Sequence, residues 1–346
     1  MKVLPAEGIE RKRVVLDAKD KHIIALKSIN ARLPVSVIAK QVRLSRDAIK
    51  YRLDRMEKEH VLVGSRSIAN VRKLGYSSYH VFLHIHFDSK EKEKEFVNFL
   101  KQHPNVNAVI SYRGKWEYEV AIMVKNPVEF DKVFKEIAAN AKIIDDYEIL
   151  VLLDTFTSKI YPEYPVDAHK FVDNYKKNDS SFIKDFQKTE TSYSIDEKDK
   201  EIIRILSANA NASFLDIGNK LKLSDDSIIY RVRKLVRNKY IVSFIPVVDY
   251  SSLGLSIQAV LFKLHNLSPE KEKQIISYMK MHKNIIWGVR TIGRWNILTY
   301  FLIGNLEEFH KALDEVIDSF RNIIQSSEIL FAYEEYKYSY LCEAVL

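Results

Sequence analysis

The chain has 346 residues, 47% of them hydrophobic and 29% charged, which is the composition of a soluble globular protein with room for two to four domains. Lys+Arg at 54 against Asp+Glu at 46 leaves a net charge of +8, a mild excess that suits a nucleic-acid partner without demanding one. Nine glycines without a GxxxxGK or GxGxxG pattern argue against a phosphate-cradling loop; the one cysteine, Cys342, excludes an intrachain disulfide and fits a reducing cytoplasm; and no apolar run reaches the ~20 residues of a membrane span.

Residues 1–15 lack the apolar core of a signal peptide and carry Glu10-Arg11-Lys12-Arg13, a basic tail that either lies along DNA phosphates or frays. Residues 16–62 read as three short helices joined by tight turns. Asp17 is placed to cap the first, whose apolar side is Ile23, Ile24 and Leu26. Pro34 suits the first turn of the second, which carries Val37, Ile38 and Val42. After a turn at Arg43-Leu44, Ser45 caps the third, with Ala48, Ile49, Leu53 and Met56 at inward spacing. Arg46, Asp47, Lys50, Tyr51 and Asp54 are left outside. In a helix-turn-helix head the first turns of the last helix enter the major groove, where charged and amphipathic side chains read base edges. Residues 63–73 are expected to form a β-hairpin wing, with Arg66, Arg72 and Lys73 turned to phosphates.

Residues 79–87, YHVFLHIHF, alternate strictly and predict a strand with Val81, Leu83, Ile85 and Phe87 on one side and His80, His84 and His86 on the other. A helix at 90–102, strands at 106–113 and 117–124, a helix at 127–139 and a strand at 147–156 follow. The order βαββαβ is the ferredoxin-like arrangement. Residues 161–194 lose the pattern and read as a linker, with a short helix suggested by Phe171, Val172 and Tyr175.

The whole scheme then returns. Residues 16–77 match 195–256 without a gap at about 20 of roughly 62 positions, the mark of a duplication. Leu44-Ser45 matches Leu223-Ser224, Tyr51-Arg52 matches Tyr230-Arg231, and Leu74-Gly75 matches Leu253-Gly254. A second wing is expected at 242–250. Strands follow at 258–264, 285–290, 296–303 and 327–333, with helices at 269–280 and 306–320. Gly114 corresponds to Gly293, Trp116 to Trp295, and Glu117 to Asn296. The fold class is therefore α+β: two winged helix-turn-helix domains, 16–75 and 195–254, alternating with two ferredoxin-like domains, 76–160 and 255–346.

Each half resembles the Lrp/AsnC ("feast/famine") transcription regulators. The resemblance rests on the opening Leu16, Asp17, Asp20, Ile23 and Ile24, the recognition helix LSxxxIxxR, the wing ending in Leu-Gly, and the glycine-x-aromatic turn of the βαββαβ domain. It implies a head that reads double-stranded DNA, and an αβ domain that pairs through its sheet and binds effectors such as amino acids. Fusion of two units in one chain implies that the two sheets pair with each other, within or between chains. The residues expected at DNA are Ser45, Arg46, Asp47, Lys50, Tyr51 and Arg66 in the first copy. In the second they are Ser224, Asp225, Asp226, Tyr230 and Arg233, so that the first head is expected to dominate specificity. The effector turn is expected at Gly114, Trp116 and Glu117, with Gly293, Trp295 and Asn296 in the other copy. The amide in place of an acid weakens that expectation, and a turn with a tryptophan packed for assembly is its rival.

Two readings of another class compete. An architectural protein would bind DNA with little sequence preference through the same heads. Siroheme decarboxylases are similar in fold, and their His/Arg/Tyr-rich site would fall near the two glycine turns. Tyr112-Arg113 and Arg290 stand there without a histidine cluster, so no catalytic residue and no cofactor is expected. His80, His84 and His86 share a strand face as metal ligands can, yet the second copy has Ala259, Lys263 and His265 there, and no metal is expected either.

Overall fold

The computed structural model describes residues 13–141, 144–161, 193–265 and 268–346. Residues 1–12 of the basic tail and the linker helix expected around Phe171, Val172 and Tyr175 lie outside them. The first half runs α1 (Ala18–Ile29), α2 (Val35–Val42), α3 (Arg46–Lys58), β1 (Leu62–Ala69), β2 (Ser77–Ile85) and α4 (Lys90–Gln102). It continues with β3 (Val106–Arg113), β4 (Tyr118–Val124), α5 (Pro127–Ala141) and β5 (Ile144–Ser158). The second half runs α6 (Glu197–Ala208), α7 (Phe214–Leu221), α8 (Asp225–Arg237), β6 (Ile241–Val248) and β7 (Ser256–Leu264). It ends with α9 (Pro269–Met281), β8 (Ile285–Ile292), β9 (Ile297–Ile303), α10 (Leu306–Ser319) and β10 (Ile324–Tyr338). These elements divide into two compact units: the two heads make one, the two αβ domains the other.

In the head unit the wings differ from expectation. Neither is a hairpin. β1 is a single strand, after which Leu74 N–H reaches Asn70 C=O and Gly75 N–H reaches Arg72 C=O, turning the chain without a return strand. A lone strand leaves a row of backbone donors and acceptors unmet, and β6 of the other head supplies their partners. The two pair antiparallel from Leu62↔Val248 to Ala69↔Ile241. A reciprocal pair of bonds extends the joint: Ala31 N–H donates to Phe244 C=O at 2.8 Å, and Ala210 N–H to Ser65 C=O at 3.0 Å.

In the αβ unit each copy forms a four-stranded antiparallel sheet, β3-β4-β2-β5 and β8-β9-β7-β10, the ferredoxin-like order. The edges meet as well. β5 pairs β2 along its first half and β8 along its second, while β10 pairs β7 and then β3. The last strands therefore run 15 residues each, longer than the expected 147–156 and 327–333, and the eight strands close into a barrel within one chain. Among the described residues of this unit, closure gives the edge strand of each sheet a partner in the other copy. Tyr79, Val81, Leu83 and Ile85 pack with Phe96, Leu100, Phe130 and Ile137 of the helices, and Val260, Phe262, Ile275 and Phe309 do the same in the second copy.

On the other face of β2 and β4, toward the barrel interior, Phe82, Ala121 and Met123 are buried together with two polar residues, His80 and Glu119. Glu119, 1% exposed, accepts from His80 Nδ1, from the Tyr112 hydroxyl, and at 2.8 Å from the Tyr300 hydroxyl of the other copy. Burial, with the Glu119 charge beside them, pushes both phenols well above their usual range, which keeps them donors. The corresponding positions of the second copy are Ala259, Leu298, Thr291 and, for Tyr300, Ala121 of the first, so the network exists once.

The two glycine turns wedge against the opposite copy. A Cβ on Gly293 would lie 2.6 Å from the Ile149 carbonyl oxygen, and its φ of +148° is one side chains rarely adopt. Gly114, at φ +139°, meets nothing nearer than the Ile329 oxygen at 3.6 Å. Gly293→Ala is expected to destabilise the barrel by about 3 kcal/mol or more, through strain plus a clash with backbone, and Gly114→Ala by only about 1–2 kcal/mol from strain alone. Denaturant titration of both variants, followed in the far ultraviolet, checks the order.

Candidate nucleic-acid interface

Local chemistry sets the recognition helices. Ser45 Oγ accepts from Ala48 N–H at 3.1 Å and Ser224 Oγ from Ser227 N–H at 3.3 Å, so each helix begins where its serine satisfies a free amide. Arg43 and Lys222 end the preceding helices in the left-handed region, φ 56° and 54°, and make the tight turn between helices. Both are exposed cations; the turn at Arg43 was expected, and Lys222 is its counterpart in the second copy. Pro34 caps α2 rather than standing inside its first turn.

The anchor of each head is a carboxylate pair, one member buried (Asp20, Asp199) and the other at the surface (Asp17, Asp196). Asp17 and Asp20 form a capping box on α1, and Arg52 Nη1 donates to both at 2.7 Å, with Arg55 on Asp20 as well. Asp196 and Asp199 repeat this on α6 with Arg231, at 2.8 Å to each. The place of Arg55 goes to Lys234, which lies over the Tyr193 and Tyr230 rings, and the Tyr193 hydroxyl donates to Asp199 instead. One face of each recognition helix is thus bolted to the first helix of its head, and the other is left outward. Matching of Tyr51-Arg52 with Tyr230-Arg231 was the signal for this anchor, though spacing alone does not assign its role.

Outward on α3 are Arg46, Asp47, Lys50 and Tyr51, all exposed, Tyr51 at 69%. Outward on α8 are Asp225, Asp226 and Tyr230, the last at 59%; Ile229 replaces Lys50 and is half-buried. The first helix thus presents two cations and one acid in its opening turns, the second two acids and no cation. Arg233 is half-buried along α8. The wing cations are committed elsewhere. Arg66 Nη1 donates to Ser207 C=O at 3.2 Å, and Lys73 Nζ to Asn238 C=O while lying 5.0 Å from the Tyr240 ring centre. They hold the other head, because a strand that pairs across heads carries its side chains there. Arg32 likewise donates to Ala210 and Ala212 carbonyls and sits over the Phe214 ring.

The expected effector turns lie in the αβ unit. Trp116 and Trp295 are buried, 1% and 4% exposed. Glu117 Oε2 accepts from Ile85 N–H at 2.9 Å, and Asn296 Oδ1 from Leu264 N–H at 2.8 Å. The acid and the amide perform the same structural task, tying the turn to the neighbouring strand, and an acceptor of either charge suffices.

The AsnC-type helix-turn-helix domain model matches residues 16–57 and 195–236, the two sets of three helices. Transcriptional regulator AzlB of Bacillus subtilis is 30% identical over 135 residues, 38% of this chain and 78% of AzlB. The chain belongs to the Lrp/AsnC family of DNA-binding transcription regulators. HTH-type transcriptional regulator Ptr1 of Methanocaldococcus jannaschii is 27% identical over 129 residues, 37% of this chain and 86% of Ptr1, so each relative spans about one of the two copies. Among solved structures, siroheme decarboxylase NirDL superposes with a TM-score of 0.59 over 92% of both chains at 15% identity, a likeness of fold. For this Lrp/AsnC protein no helix among the described residues is long and apolar enough to cross a membrane.

The anchor makes a pH prediction. Burial pushes Asp17 and Asp196 up, but the Asp20 and Asp199 amides with Arg52 and Arg231 hold both below the ordinary 3.8. A depressed carboxylate contributes stability that is complete above its unfolded value and lost as pH falls through the folded one. The heads should therefore lose stability as pH drops below 3.8. The double variant Arg52→Ala, Arg231→Ala should be weaker at neutral pH and show a shallower acid decline, read as helical signal against denaturant at each pH.

Proposed function

We propose that this Lrp/AsnC protein is a sequence-specific regulator that reads an asymmetric DNA site with two unlike heads. The observation that carries the reading is the β1–β6 ribbon. It joins two recognition helices with exposed opening turns into one unit, so both insert with a spacing set by the fold. Arg46 and Lys50 suit guanine O6 and N7 in the first half-site. Asp225 and Asp226 accept from cytosine amino groups at most, and sit poorly beside phosphates. The first head therefore supplies most of the specificity. The turns at Gly114 and Gly293 spend Glu117 and Asn296 on the fold, which favours their assembly role over an amino-acid effector held by those side chains. A protein of this kind works in the cytoplasm.

The full-length likeness to NirDL keeps one enzymatic reading in view. The residues it would use are engaged: Tyr112 on Glu119, Arg113 over the Tyr333 ring at 4.1 Å, and Arg290 with Asp154 and Glu272. We therefore read the protein as a non-enzyme.

Selection of bound sequences from a random DNA pool, followed by affinities for the winner and a scrambled duplex at two salt concentrations, tests this. The expected outcome is a non-palindromic motif bound at least ~10³-fold tighter than scrambled DNA. Lys50→Ala should lose about tenfold on that motif, more than Arg233→Ala. Uniform affinity with a steep salt slope would mean an architectural protein instead. Absence of binding at low salt would overturn the DNA reading and turn attention to tetrapyrrole ligands.

A further inference from the structure

We propose that the rim of the first αβ domain holds a divalent transition metal of the zinc class, with His84, His86 and Asp145 as ligands and Glu117 beside them. His84 lies on β2 and His86 directly follows its last residue, Ile85, and their ring centres are 5.2 Å apart. Asp145 reaches them through a break in register. β2 and β5 pair His84 with Asp146 and then Ile85 with Ile144, so Asp145 is the extra residue of a β-bulge, a device that re-aims a side chain. One ligand atom from each of the three lies within 4.8 Å of the others. Asp145 Oδ2 is 2.6 Å from His86 Nδ1, and Glu117 Oε2 is 2.9 Å from His84 Nδ1.

The donor set decides the class of ion. Two imidazoles with carboxylate oxygen suit zinc and its neighbours, whereas magnesium and calcium ask for six or more oxygens. Zinc bonds of about 2.0–2.2 Å place tetrahedral ligands roughly 3.4 Å apart. The His86 and Asp145 side chains, 74% and 40% exposed, are free to close that distance by rotamer changes. Three protein ligands leave a fourth position open, and a carboxylate behind a ligand histidine orients its ring and raises its basicity.

The second copy is an internal control. It repeats the bulge, pairing Lys263 with Ser326 and Leu264 with Ile324 so that Gln325 is the extra residue. It carries Lys263, His265, Gln325 and Asn296 where the first has His84, His86, Asp145 and Glu117. Its histidine lies 3.1 Å, through Nε2, from the Asn322 carbonyl, and Asn296 serves its strand as well as Glu117 does. The scaffold therefore does not need four metal donors, yet the first copy has them together. The sequence led to the expectation of no metal because the second copy has Ala259, Lys263 and His265 in place of His80, His84 and His86. His80 is committed to buried Glu119, and the missing ligand comes from a bulge on another strand.

The test is titration of the full untagged chain with zinc chloride by calorimetry, with cobalt(II) absorption reporting geometry. One equivalent is expected, unaffected by millimolar magnesium, with the intense visible bands of four- or five-coordinate cobalt. His86→Ala and Asp145→Asn should each weaken zinc at least ~10-fold, and Glu117→Asn, which keeps an acceptor for Ile85 N–H, should weaken it less. A triple graft, Lys263→His, Gln325→Asp and Asn296→Glu, should create a second equivalent. This decides the matter if the loss variants fail to fold. Unchanged zinc binding in a folded His86→Ala, Asp145→Asn double variant, or no added equivalent in a folded graft, would overturn the proposal.

Discussion

A sheet edge exposed to water invites whatever strand comes next, and this chain answers that liability by pairing an edge of each sheet of one copy with the other. β1 takes β6, β5 takes β8 and β10 takes β3. None of these strands meets its full complement of backbone partners inside its own copy. The rest of the structure depends on this exchange. It joins the heads through a ribbon, closes two open sheets into a barrel, and draws Arg66 and Lys73 away from solvent to serve the joint.

Within that shared scaffold the chemistry has separated. Positions that hold the backbone together are kept in kind in both copies: the serine caps, the aspartate pairs with their arginine, the left-handed residues of the turns, and the acceptor at Glu117 or Asn296. Positions that face outward, or inward across the barrel, are not. The recognition helices differ in charge, Glu119 and its three donors occur once, and the histidine and carboxylate cluster at the rim occurs once. Covalent linkage permits this. In a symmetric pair of identical chains every substitution arrives twice, so a buried carboxylate at the middle of the interface would face its own copy.

How much of this was legible in the sequence follows the range of the interactions. The helices from Ala18 to Lys58 and from Glu197 to Arg237 were readable because caps and 3.6-residue spacing are local signals, and the βαββαβ order was readable because alternation and turn residues are local as well. The wings were misjudged as hairpins because the partner of β1 lies some 180 residues away in sequence. For the same reason residues 334–338 at the end of β10 were missed, since they pair with the sheet of the other copy and look like connecting chain, whereas the strand expected at 147–156 already held most of β5. Of the candidate DNA residues, the outer faces of α3 and α8 came from helical periodicity and stand exposed. Arg66, expected at phosphates, donates to Ser207 C=O, a contact that charge alone does not reveal. The Asp145 bulge has no periodic signature at all.

The reciprocal strand exchange also changes what governs assembly. Two separate chains joined by such edges would come apart on dilution, with a midpoint that tracks concentration. Here both halves are tethered by one backbone, so the joining step is first order and its effective concentration is set by the connecting residues rather than by expression level. A regulator present in only a few copies per cell keeps both of its reading heads at any abundance.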